Sequence, residues 1–537
     1  MTEGLTGTAE LVRVLLPLPV LLPLFGAGAT LALARRPTAQ RVISVCVLTV
    51  VLVDAVALLL LTDAGAGVYS VDVGGWPARL GIPLVADRLS ALMLVVSALV
   101  TLAVLVYSLA QGVADGEEGT PVSIYHPTYL VLSAGVSNAF LSGDLFNLYV
   151  GFEVLLAASY ILLTLGGTKA RVRAGTTYVL VSLLSSLVFL TALALVYAAT
   201  GTVNMAELSN RLQDVDPGVR LVLHLLLLVG FGIKAAVFPL SAWLPDSYPT
   251  APAPVTAVFA GLLTKVGVYA IIRTETLLFP GGEADRLLLW AALATMVVGI
   301  LGAVAQSDVK RLLSFTLVSH IGYMVFGVAL GSAAGLSGAV FYVAHHITVQ
   351  TTLFLVTGLV ERRAGTTALD RLGALARRAP LLAVLFFVPA VNLAGIPPFS
   401  GFLGKLALLQ AGVDDGSATA LVLVAGSVVT SLLTLYAVAK VWNRAFWQEP
   451  PAQQEQEREQ EPGGAPAAGA VALAAPAAAR TPAGMLAPTA ALVAVGVAIT
   501  AVAGPLFGIS DRAARDLRER TPYTSTVLHD RVPQVQP

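Results

Sequence analysis

Long apolar runs separated by short polar connections extend along the chain from residue 11 to residue 508. Most runs hold the roughly 20 apolar residues with which an α-helix crosses the hydrocarbon core of a bilayer. The pattern therefore predicts an all-α polytopic membrane protein with about fourteen transmembrane helices. We expect these helices near residues 11–34, 42–62, 83–111, 126–142, 144–166, 173–200, 218–241, 251–278, 286–306, 309–331, 335–361, 379–412, 418–446 and 485–508.

The composition indicates that lipid is the main solvent of this chain. Of its 537 residues, 56% are hydrophobic and 12% are charged, whereas a soluble domain carries about 25% charged residues. The formal net charge is zero, which gives no indication of a nucleic-acid partner. The single cysteine, Cys46, excludes an intramolecular disulfide and an iron–sulfur cluster held by cysteines.

Signatures of soluble enzymes are missing from the sequence. It contains no P-loop, no dinucleotide fingerprint, no nucleophile elbow and no His-Glu-x-x-His zinc motif. We therefore expect no cofactor, no bound metal and no nucleotide hydrolysis. Any transport must then be driven by an ion gradient or by partner subunits.

Basic residues concentrate in the odd-numbered connections between the expected helices. Because positively charged loops face the cytoplasm, we expect these connections to share the cytoplasmic side and both termini to face outward. Four arginines between residues 512 and 520 oppose an outward C-terminus, although acidic neighbours offset them in part. The basic residues of the odd-numbered connections are Arg35, Arg36, Arg41, Lys169, Arg171, Arg173, Lys310, Arg311, Arg362, Arg363, Arg371, Arg377 and Arg378.

Two segments depart from the helical pattern. Residues 447–484 are rich in Pro, Gln, Glu and Ala, and we expect a disordered cytoplasmic linker there because this composition buries little apolar surface. Residues 66–82 are expected to form a small hairpin on the outer side. Asp87 and Arg88, which follow this hairpin, fit a surface pair at the membrane edge.

A short internal repeat relates the two halves of the chain. Residues 238–244 (FPLSAWL) align with residues 397–403 (PPFSGFL), and the two copies lie five helices apart, on the seventh and the twelfth expected helix. An odd number of helices inverts the topology, so we predict two inverted five-helix repeats with one broken helix each. Pro239, Pro397 and Pro398 would break these helices, because proline removes a backbone hydrogen bond. Ordinary kinks of membrane helices are the alternative.

These features divide the chain into five predicted regions. The N-terminal helices with the outer hairpin are followed by the first repeat, the second repeat, the linker, and the last helix with its tail. The boundaries of these regions are 1–125, 126–278, 286–446, 447–484 and 485–537.

Four charged residues lie within apolar runs, namely Glu153, Lys234, Lys265 and Lys405. A charge in hydrocarbon is costly, and such residues are usually functional. Glu153 lies roughly 15 Å along its helix at the usual rise per residue, near the bilayer centre, where a nearby ammonium group would keep it ionised. Glu153 and Lys234 would therefore form a pair whose charge state proton movement can switch. Snorkelling toward the membrane surface is the alternative for Lys405.

Histidines lie between these charges along the chain. His345 and His346 are adjacent, His346 shares a helix face with Gln350, and His320 lies in the middle of the preceding helix. Histidine titrates near physiological pH and can shuttle protons, so these residues are candidates for a proton relay. A satisfied structural role is the alternative, and it is the favoured one for His224. No spacing of ligands suits a metal site.

Eight segments around these residues form a recognisable set. Residues 147–160 read NLYVGFEVLLAASY, and the other segments are Gly232–Pro239, Ala242–Asp246, Pro252–Ala257, Leu263–Lys265, Ser307–Arg311, Ser319–Tyr323 and Gly395–Gly401. Together they resemble the antiporter-like subunits shared by respiratory complex I and the multisubunit Mrp-type sodium/proton antiporters. The resemblance covers residues 80–445, and the first segment looks most like the D-type subunits of the Mrp antiporters.

The resemblance implies roles for individual residues. Glu153 is similar to the carboxylate of the fifth helix that pairs with a lysine on the seventh, here Lys234. Lys265 is similar to the lysine of the eighth helix that relays protons along a central polar axis. Lys405 is similar to an ionisable residue of the broken twelfth helix at the proton exit or entry. Where the family commonly has a lysine on the eleventh helix, this chain has Gln350, a neutral hydrogen-bonding group.

On this basis we expect the proton-translocating subunit of a multisubunit monovalent-cation (Na+)/H+ antiporter. This is a secondary transporter driven by the proton motive force, not an enzyme, and it would lie in a bacterial cell membrane. Expected partners are the A, B, C, E, F and G type subunits, H+, Na+ (with Li+ or K+ as alternatives) and the lipid bilayer, with no nucleic acid. The alternatives are a proton-pumping membrane-arm subunit of NADH:quinone oxidoreductase or of a membrane hydrogenase, and a scaffold subunit.

Overall fold

A computed structural model describes residues 10–65, 67–112, 124–449 and 481–529. Twelve helices in this part of the chain are long and apolar enough to cross a membrane, so the prediction of an all-α polytopic membrane protein is confirmed. Most of the expected linker at 447–484 lies outside the described residues.

The helices are α1 (Glu10–Ala32), α2 (Pro37–Ala64), α3 (Arg88–Gln111), α4 (Tyr125–Leu141), α5 (Leu145–Thr164), α6 (Lys169–Thr200), α7 (Met205–Arg211), α8 (Pro217–Ala235), α9 (Leu244–Ser247), α10 (Ala253–Leu278), α11 (Asp285–Ala305), α12 (Val309–Ala329), α13 (Ala333–Ala364), α14 (Leu375–Arg378), α15 (Pro380–Ala394), α16 (Ser400–Asp415), α17 (Ala418–Trp447), α18 (Ala483–Ala501), α19 (Ala503–Glu519) and α20 (Thr521–Leu528).

A two-stranded antiparallel hairpin precedes α3. Strand β1 (Val68–Asp72) pairs with strand β2 (Pro83–Asp87). Hydropathy assigned the residues of β2 to the third membrane helix, but the ladder with β1 holds them extended and α3 begins at Arg88. Asp87 ends the strand and caps α3, because its carboxylate accepts a hydrogen bond from the backbone N–H of Ser90 at 2.8 Å.

The first hydrophobic run with a repeated proline is not one continuous helix. Helix α8 ends at Ala235, earlier than hydropathy suggested, and Ala236 adopts a left-handed conformation with φ of 59°. Pro239 lies beyond this end, and its neighbour Phe238 donates its backbone N–H to the Thr295 hydroxyl at 3.0 Å. A backbone group released by the break thus finds a partner on another helix.

The second hydrophobic run with a repeated proline is divided in the same way. Helix α15 ends at Ala394, Gly395 takes a positive φ of 84°, and α16 begins at Ser400. Pro397 and Pro398 lie between the two helices. The run expected as one long segment is therefore two short helices with irregular backbone between them.

Basic connections gather at one end of the helix bundle, here named the basic face. Arg171 donates a hydrogen bond to the Thr250 carbonyl, and Arg311 pairs with Asp246 at 2.8 Å. The connections that precede α6, α10 and α12 therefore lie at the same end, as the distribution of charge along the sequence suggested. The residues that define the basic face are Arg171, Lys310, Arg311 and Arg362.

The C-terminal tail packs on the other end of the bundle, here named the hairpin face because it carries β1 and β2. Arg512 donates two hydrogen bonds to the Asp63 carboxylate, at 2.7 and 2.8 Å. Arg88 pairs with both Asp63 and Asp516. Acidic groups of the hairpin face thus neutralise an arginine of the tail, which explains how that arginine is accommodated opposite the basic face.

A buried ion pair joins α10 to the start of α3 beneath the hairpin face. Arg273 pairs with Asp87 at 2.6 Å, and the two side chains are only 4% and 5% exposed. The Arg273 guanidinium also lies 5.4 Å from the ring centre of Tyr523 in the tail. The expected surface pair of Asp87 and Arg88 is wrong, because Asp87 pairs with Arg273 and Arg88 pairs with Asp63.

Two isolated β-bridges occupy matching places in the two halves of the chain. Asp144 pairs with Asn204 around α5 and α6, and Asp308 pairs with Ala368 around α12 and α13. Each aspartate caps the helix that follows it through its side chain, and burial raises the pKa of the Asp144 carboxyl to about 6. The two bridges have the same spacing along the chain, and they lie on the hairpin face and the basic face respectively.

Replacing Asp87 with Asn is expected to destabilise the protein by about 3 to 5 kcal/mol, because it leaves the buried Arg273 guanidinium without a compensating charge. Asn retains a side-chain oxygen that can cap α3, so loss of the cap contributes little. Thermal unfolding of the purified protein in detergent, followed by tryptophan fluorescence, measures the fall in Tm.

The matched control is Glu449→Gln, which removes the charge of one partner in the exposed pair with Arg377. Exposed pairs contribute less than about 1 kcal/mol, so the Tm of this variant should stay near the wild-type value. Equal shifts of Tm in the two variants would contradict a special role for the Asp87–Arg273 pair.

Candidate functional site

A serine hydroxyl joins Glu153 to Lys234. Lys234 lies in the last turn of α8, and its Nζ donates to the Ser186 hydroxyl at 3.2 Å and to the Ser182 carbonyl at 3.3 Å. The same hydroxyl donates to a carboxylate oxygen of Glu153. Within the described part of the chain, no direct ion pair links the two charges. Ser186 therefore connects the protonation of the carboxyl to the hydrogen bonding of the ammonium group.

The space around Lys234 is narrow and partly aromatic. The Nζ lies 5.8 Å from the ring centre of Phe152. A cavity of 10 Å³ borders Lys234, and Leu263 forms part of its wall. This volume fits about one water molecule. Leu263 lies two residues before Lys265 on α10, but Lys265 itself does not line this cavity.

Lys265 is completely buried in α10. Its Nζ donates to the carbonyl of Ala260 at 2.6 Å, and Ala260 belongs to the π-helical segment Phe259–Leu263. A π-helical turn interrupts the α-helical hydrogen-bond ladder, and such turns are frequent at functional sites. Among the described residues no carboxylate pairs with Lys265, so a backbone carbonyl is its polar partner.

His320, His345 and His346 form a buried cluster with Tyr342 on α12 and α13. The Tyr342 hydroxyl lies 2.6 Å from Nδ1 of His320, and the ring centres of His320 and His346 are 5.1 Å apart. Nδ1 of His345 instead lies 3.0 Å from the Ser400 hydroxyl. The adjacent histidines therefore have different neighbours, since His346 meets His320 and His345 meets the start of α16.

Lys405 is only 4% exposed, so snorkelling to the membrane surface does not describe it. Its Nζ donates to the carbonyls of Leu393 and Ala394, at 3.1 and 3.0 Å, where α15 ends. The Nζ also lies 5.1 Å from the ring centre of Tyr323. Cations are stabilised at the carbonyl end of a helix, and Lys405 thereby satisfies groups that the helix break leaves unpaired.

Gln350 is completely buried in α13. Its Nε2 donates to the carbonyl of Leu313 at 2.8 Å. Its Oε1 and both ring nitrogens of His346 have no hydrogen-bond partner among the described residues. The position at which the family commonly has a lysine therefore holds a neutral amide. One helical turn before it lies His346, whose ring nitrogens accept or donate no hydrogen bond among the described residues.

The candidate residues fall into groups that are separate in their side-chain hydrogen bonds, although Tyr323 lies between Lys405 and His320. Glu153 and Lys234 form one group through Ser186, and the histidines form another. Lys265 and Lys405 each donate to backbone carbonyls. Within residues 124–449, no direct hydrogen bond between side chains joins one of these groups to the next.

Ser186, Tyr342 and Ser400 belong to the site and were not predicted from the sequence. Uncharged hydroxyl residues are common in membrane helices, so hydropathy gives them no weight. A signal was available for Ser186, because it lies four residues after Ser182 and both therefore share one face of α6. For Tyr342 and Ser400 the contacts depend on tertiary packing alone.

Comparison with known proteins identifies the family. A family model described as "NADH:quinone oxidoreductase/Mrp antiporter, TM" matches residues 142–434, a span that includes every predicted site residue. The D-type subunit of the Na(+)/H(+) antiporter of Alkalihalophilus pseudofirmus is 38% identical over 518 residues, which are 96% of this chain and 99% of the relative.

Solved structures of the same architecture support this assignment. A chain of the Mrp complex from Dietzia sp. DQ12-45-1b matches with a TM-score of 0.87 and 36% identity, over 96% of this chain and 99% of that chain. A chain of respiratory complex I from Thermus thermophilus with bound NADH matches with a TM-score of 0.76 and 25% identity, over 94% and 99% of the two chains. The chain therefore belongs to the NADH:quinone oxidoreductase/Mrp antiporter family of membrane proteins.

Proposed function

We propose that this chain translocates protons as the D-type subunit of a multisubunit Na+/H+ antiporter of the Mrp type. It is a multi-pass membrane transporter subunit rather than an enzyme. The antiporter subunit from A. pseudofirmus is 38% identical and the Mrp-complex chain 36% identical, whereas the complex I chain is 25% identical. The redox-driven alternative has weaker support, because the family model covers both kinds of complex but the identity to the complex I chain is lower. The proton motive force would drive the exchange of Na+ for H+.

The bridge from Glu153 through Ser186 to Lys234 is the observation that carries this proposal. A proton that neutralises the Glu153 carboxylate weakens the hydrogen bond donated by Ser186, because charged acceptors bind more strongly than neutral ones. The change alters the environment of the Lys234 ammonium group through the same hydroxyl. A change of proton affinity at one residue then changes the affinity at the other, and such coupling is reciprocal.

From Lys234 the proposed path continues through Lys265, the histidine cluster and Lys405. Burial supports these roles, because ionisable groups in the middle of a membrane protein are costly and are generally retained for function. The membrane potential supplies about 2.3 kcal/mol per charge per 100 mV, which is enough to bias a switch of this kind. Gln350 would contribute hydrogen bonds to the path in place of a fixed charge.

We also propose that the membrane part has about fourteen helical segments that include two inverted five-helix repeats, at 126–278 and 286–446. The equally spaced bridges of Asp144 and Asp308 on opposite faces support this arrangement. The interruptions after α8 and α15 support it too, because each repeat then contains one broken helix. Helix α4, with 17 residues, and the divided α15–α16 account for the segments beyond the twelve long helices.

The remaining predicted regions complete the proposed organisation. Residues 1–125 would form an N-terminal bundle with the outer hairpin, 447–484 a linker, and 485–537 the last membrane helix with its tail. Partner subunits of the A, B, C, E, F and G types would surround this chain. Na+ is the proposed exchanged cation, with Li+ or K+ as alternatives, and the relatives named as Na(+)/H(+) antiporter subunits support the first.

Replacing Lys234 with Ala is expected to lower cation-dependent proton exchange by roughly 10²-fold or more, because a positioned proton-transfer group is lost. The measurement uses everted membrane vesicles from cells that express all the antiporter subunits. An imposed pH gradient is followed with a fluorescent dye, and its dissipation on addition of Na+ gives the initial rate.

Lys440→Ala is the matched control for this variant. Lys440 also lies in a membrane helix, but it donates to the carbonyls of Val304 and Gln306 near the basic face, outside the proposed path. Its loss should leave the exchange rate at the wild-type level. Normal exchange in Lys234→Ala vesicles that contain the intact complex would support a scaffold role instead.

Replacing Ser186 with Ala should reduce the exchange rate by about tenfold, because it removes a hydrogen bond to each of two charged groups. Ser185→Ala is the control, since the neighbouring hydroxyl donates to the Gly230 carbonyl at 2.8 Å and touches neither charge. The same vesicle assay compares the two. Equal rates in both variants would show that Ser186 does not connect Glu153 to Lys234.

A further inference from the structure

A buried pair of ionisable groups, distinct from the Asp87–Arg273 pair, lies near the hairpin face and away from the proposed path. Nε2 of His224 on α8 lies 2.6 Å from a carboxylate oxygen of Glu275 on α10, and the side chains are 0% and 5% exposed. His224 stacks on Phe279, with ring centres 4.2 Å apart and the planes inclined by 3°. The sequence favoured a structural role for His224. The structure shows in addition that His224 is paired with an ionisable residue, Glu275, which the sequence pattern did not indicate.

Each member of this pair has one polar atom left over. Nδ1 of His224 and Oε2 of Glu275 have no hydrogen-bond partner among the described residues. Buried polar groups are satisfied in the great majority of cases, so an orphaned atom calls for a functional or solvent explanation. Each residue can therefore bind a proton at an atom that is not part of the hydrogen bond between them, Nδ1 of His224 or Oε2 of Glu275.

A cavity of 170 Å³ connects the pair to the surface at the hairpin face. Glu275, Asp285, Arg518 and Arg520 contribute to its polar lining, and Arg518 is exposed. This volume exceeds the space that one water molecule needs by about tenfold. Glu275 can therefore meet water from that side of the membrane, whereas His224 is closed off behind it.

The position of the pair relates it to the two buried lysines. His224 lies ten residues before Lys234 on α8, and Glu275 lies ten residues after Lys265 on α10. At the usual helical rise each interval is about 15 Å. The pair thus joins the hairpin-face ends of the two helices that carry the first and second ammonium groups.

Charged groups surround the pair on the other elements packed against it. Asp285 begins α11, and Glu283 in the preceding connection is held by an ion pair with Arg220 of α8. The tail contributes Arg518 and Arg520 from the opposite wall of the cavity. The cavity lining contains both positive and negative side chains. Among the described residues, a net positive charge that would repel protons is therefore not present there.

We propose that Glu275 and His224 form the outer proton port of this subunit, at which a proton from the outer solution enters the protein. The proposal rests on the proposed antiporter function and on the outward orientation of the hairpin face. A hydronium ion in the cavity gives a proton to the Glu275 carboxylate and becomes water. The proton moves across the 2.6 Å hydrogen bond to Nε2 of His224, whose neutral ring carries its proton on Nδ1. The imidazolium then gives the Nδ1 proton to a water molecule on the inner side, and exchange of the remaining ring proton from Nε2 to Nδ1 through water restores the first tautomer. One proton enters and one leaves in each cycle.

The test varies the pH on the outer side alone. Right-side-out membrane vesicles that contain the complete antiporter are loaded with a pH indicator at fixed internal pH and Na+ concentration, and the outer pH is stepped from neutral to alkaline. Glu275→Gln should lower the initial rate of Na+-dependent proton entry by roughly tenfold. Its deficit should increase as the outer pH rises, because proton capture then limits the rate.

Glu283→Gln is the matched control, since it removes a carboxylate from the same face that pairs with Arg220 and does not touch His224. It should follow the wild-type profile. A Glu275→Gln profile that overlays the wild type, or that is reduced by one constant factor at every outer pH, overturns the port. If Lys234→Ala still abolishes exchange in that case, only the port is wrong. If Lys234→Ala is also active, the proposed function itself fails.

A measurement on the wild-type chain covers the case in which Glu275→Gln prevents assembly of the complex. A hydrophobic carbodiimide reacts with protonated carboxyl groups, and mass spectrometry of the digested protein locates the modified residue. Modification of Glu275 should proceed faster at lower outer pH and should inhibit exchange in proportion to its extent. An unmodified Glu275, or modification without inhibition, overturns the proposal.

Discussion

Backbone carbonyl groups hold the ammonium ions of this protein inside the membrane. Lys234, Lys265 and Lys405 each donate to at least one carbonyl. Two of the lysines use sites where regular helix is interrupted, at the π-helical turn of α10 and at the end of α15. A buried charge persists only where polar groups replace its hydration. A neutral carbonyl stabilises an ammonium group less than a carboxylate does, which suits the proton transfer proposed for these lysines.

Each half of the chain buries ionisable side chains between its helices, but the residue types differ. The first half sets a carboxylate and a lysine on either side of Ser186, and the second half sets histidines between Tyr342 and Ser400. Both halves contain an interrupted helix, and side chains from neighbouring segments satisfy peptide groups at the interruption. An interruption in each half, with different side chains around it, is what the proposed inverted repeats predict.

Hydropathy and charge were sufficient to predict the polytopic helical fold, the basic face and the interruptions near Pro239 and Pro397, because each of these depends on local composition, but not the start of α3 or the end of α8. The contacts of Lys234 could not be predicted from local composition, because Ser186 meets Lys234 only when α6 packs against α8. Asp87 shows the limit most clearly. Its neighbour Arg88 suggested a local pair, but the true partner, Arg273, lies on a distant helix. Sequence periodicity identifies the face of a helix and not the residue that meets it.

The contact between Arg512 and Asp63 has a consequence for biogenesis. The two residues are 449 positions apart, so a ribosome delivers Asp63 to the membrane long before its partner exists. Until α18 has inserted and the following residues have emerged, Asp63 and Arg88 have, among the described residues, only each other for charge compensation. A segment synthesised late therefore fastens early ones, and the charges of α2 and α3 reach their final pairing only after α19 has emerged.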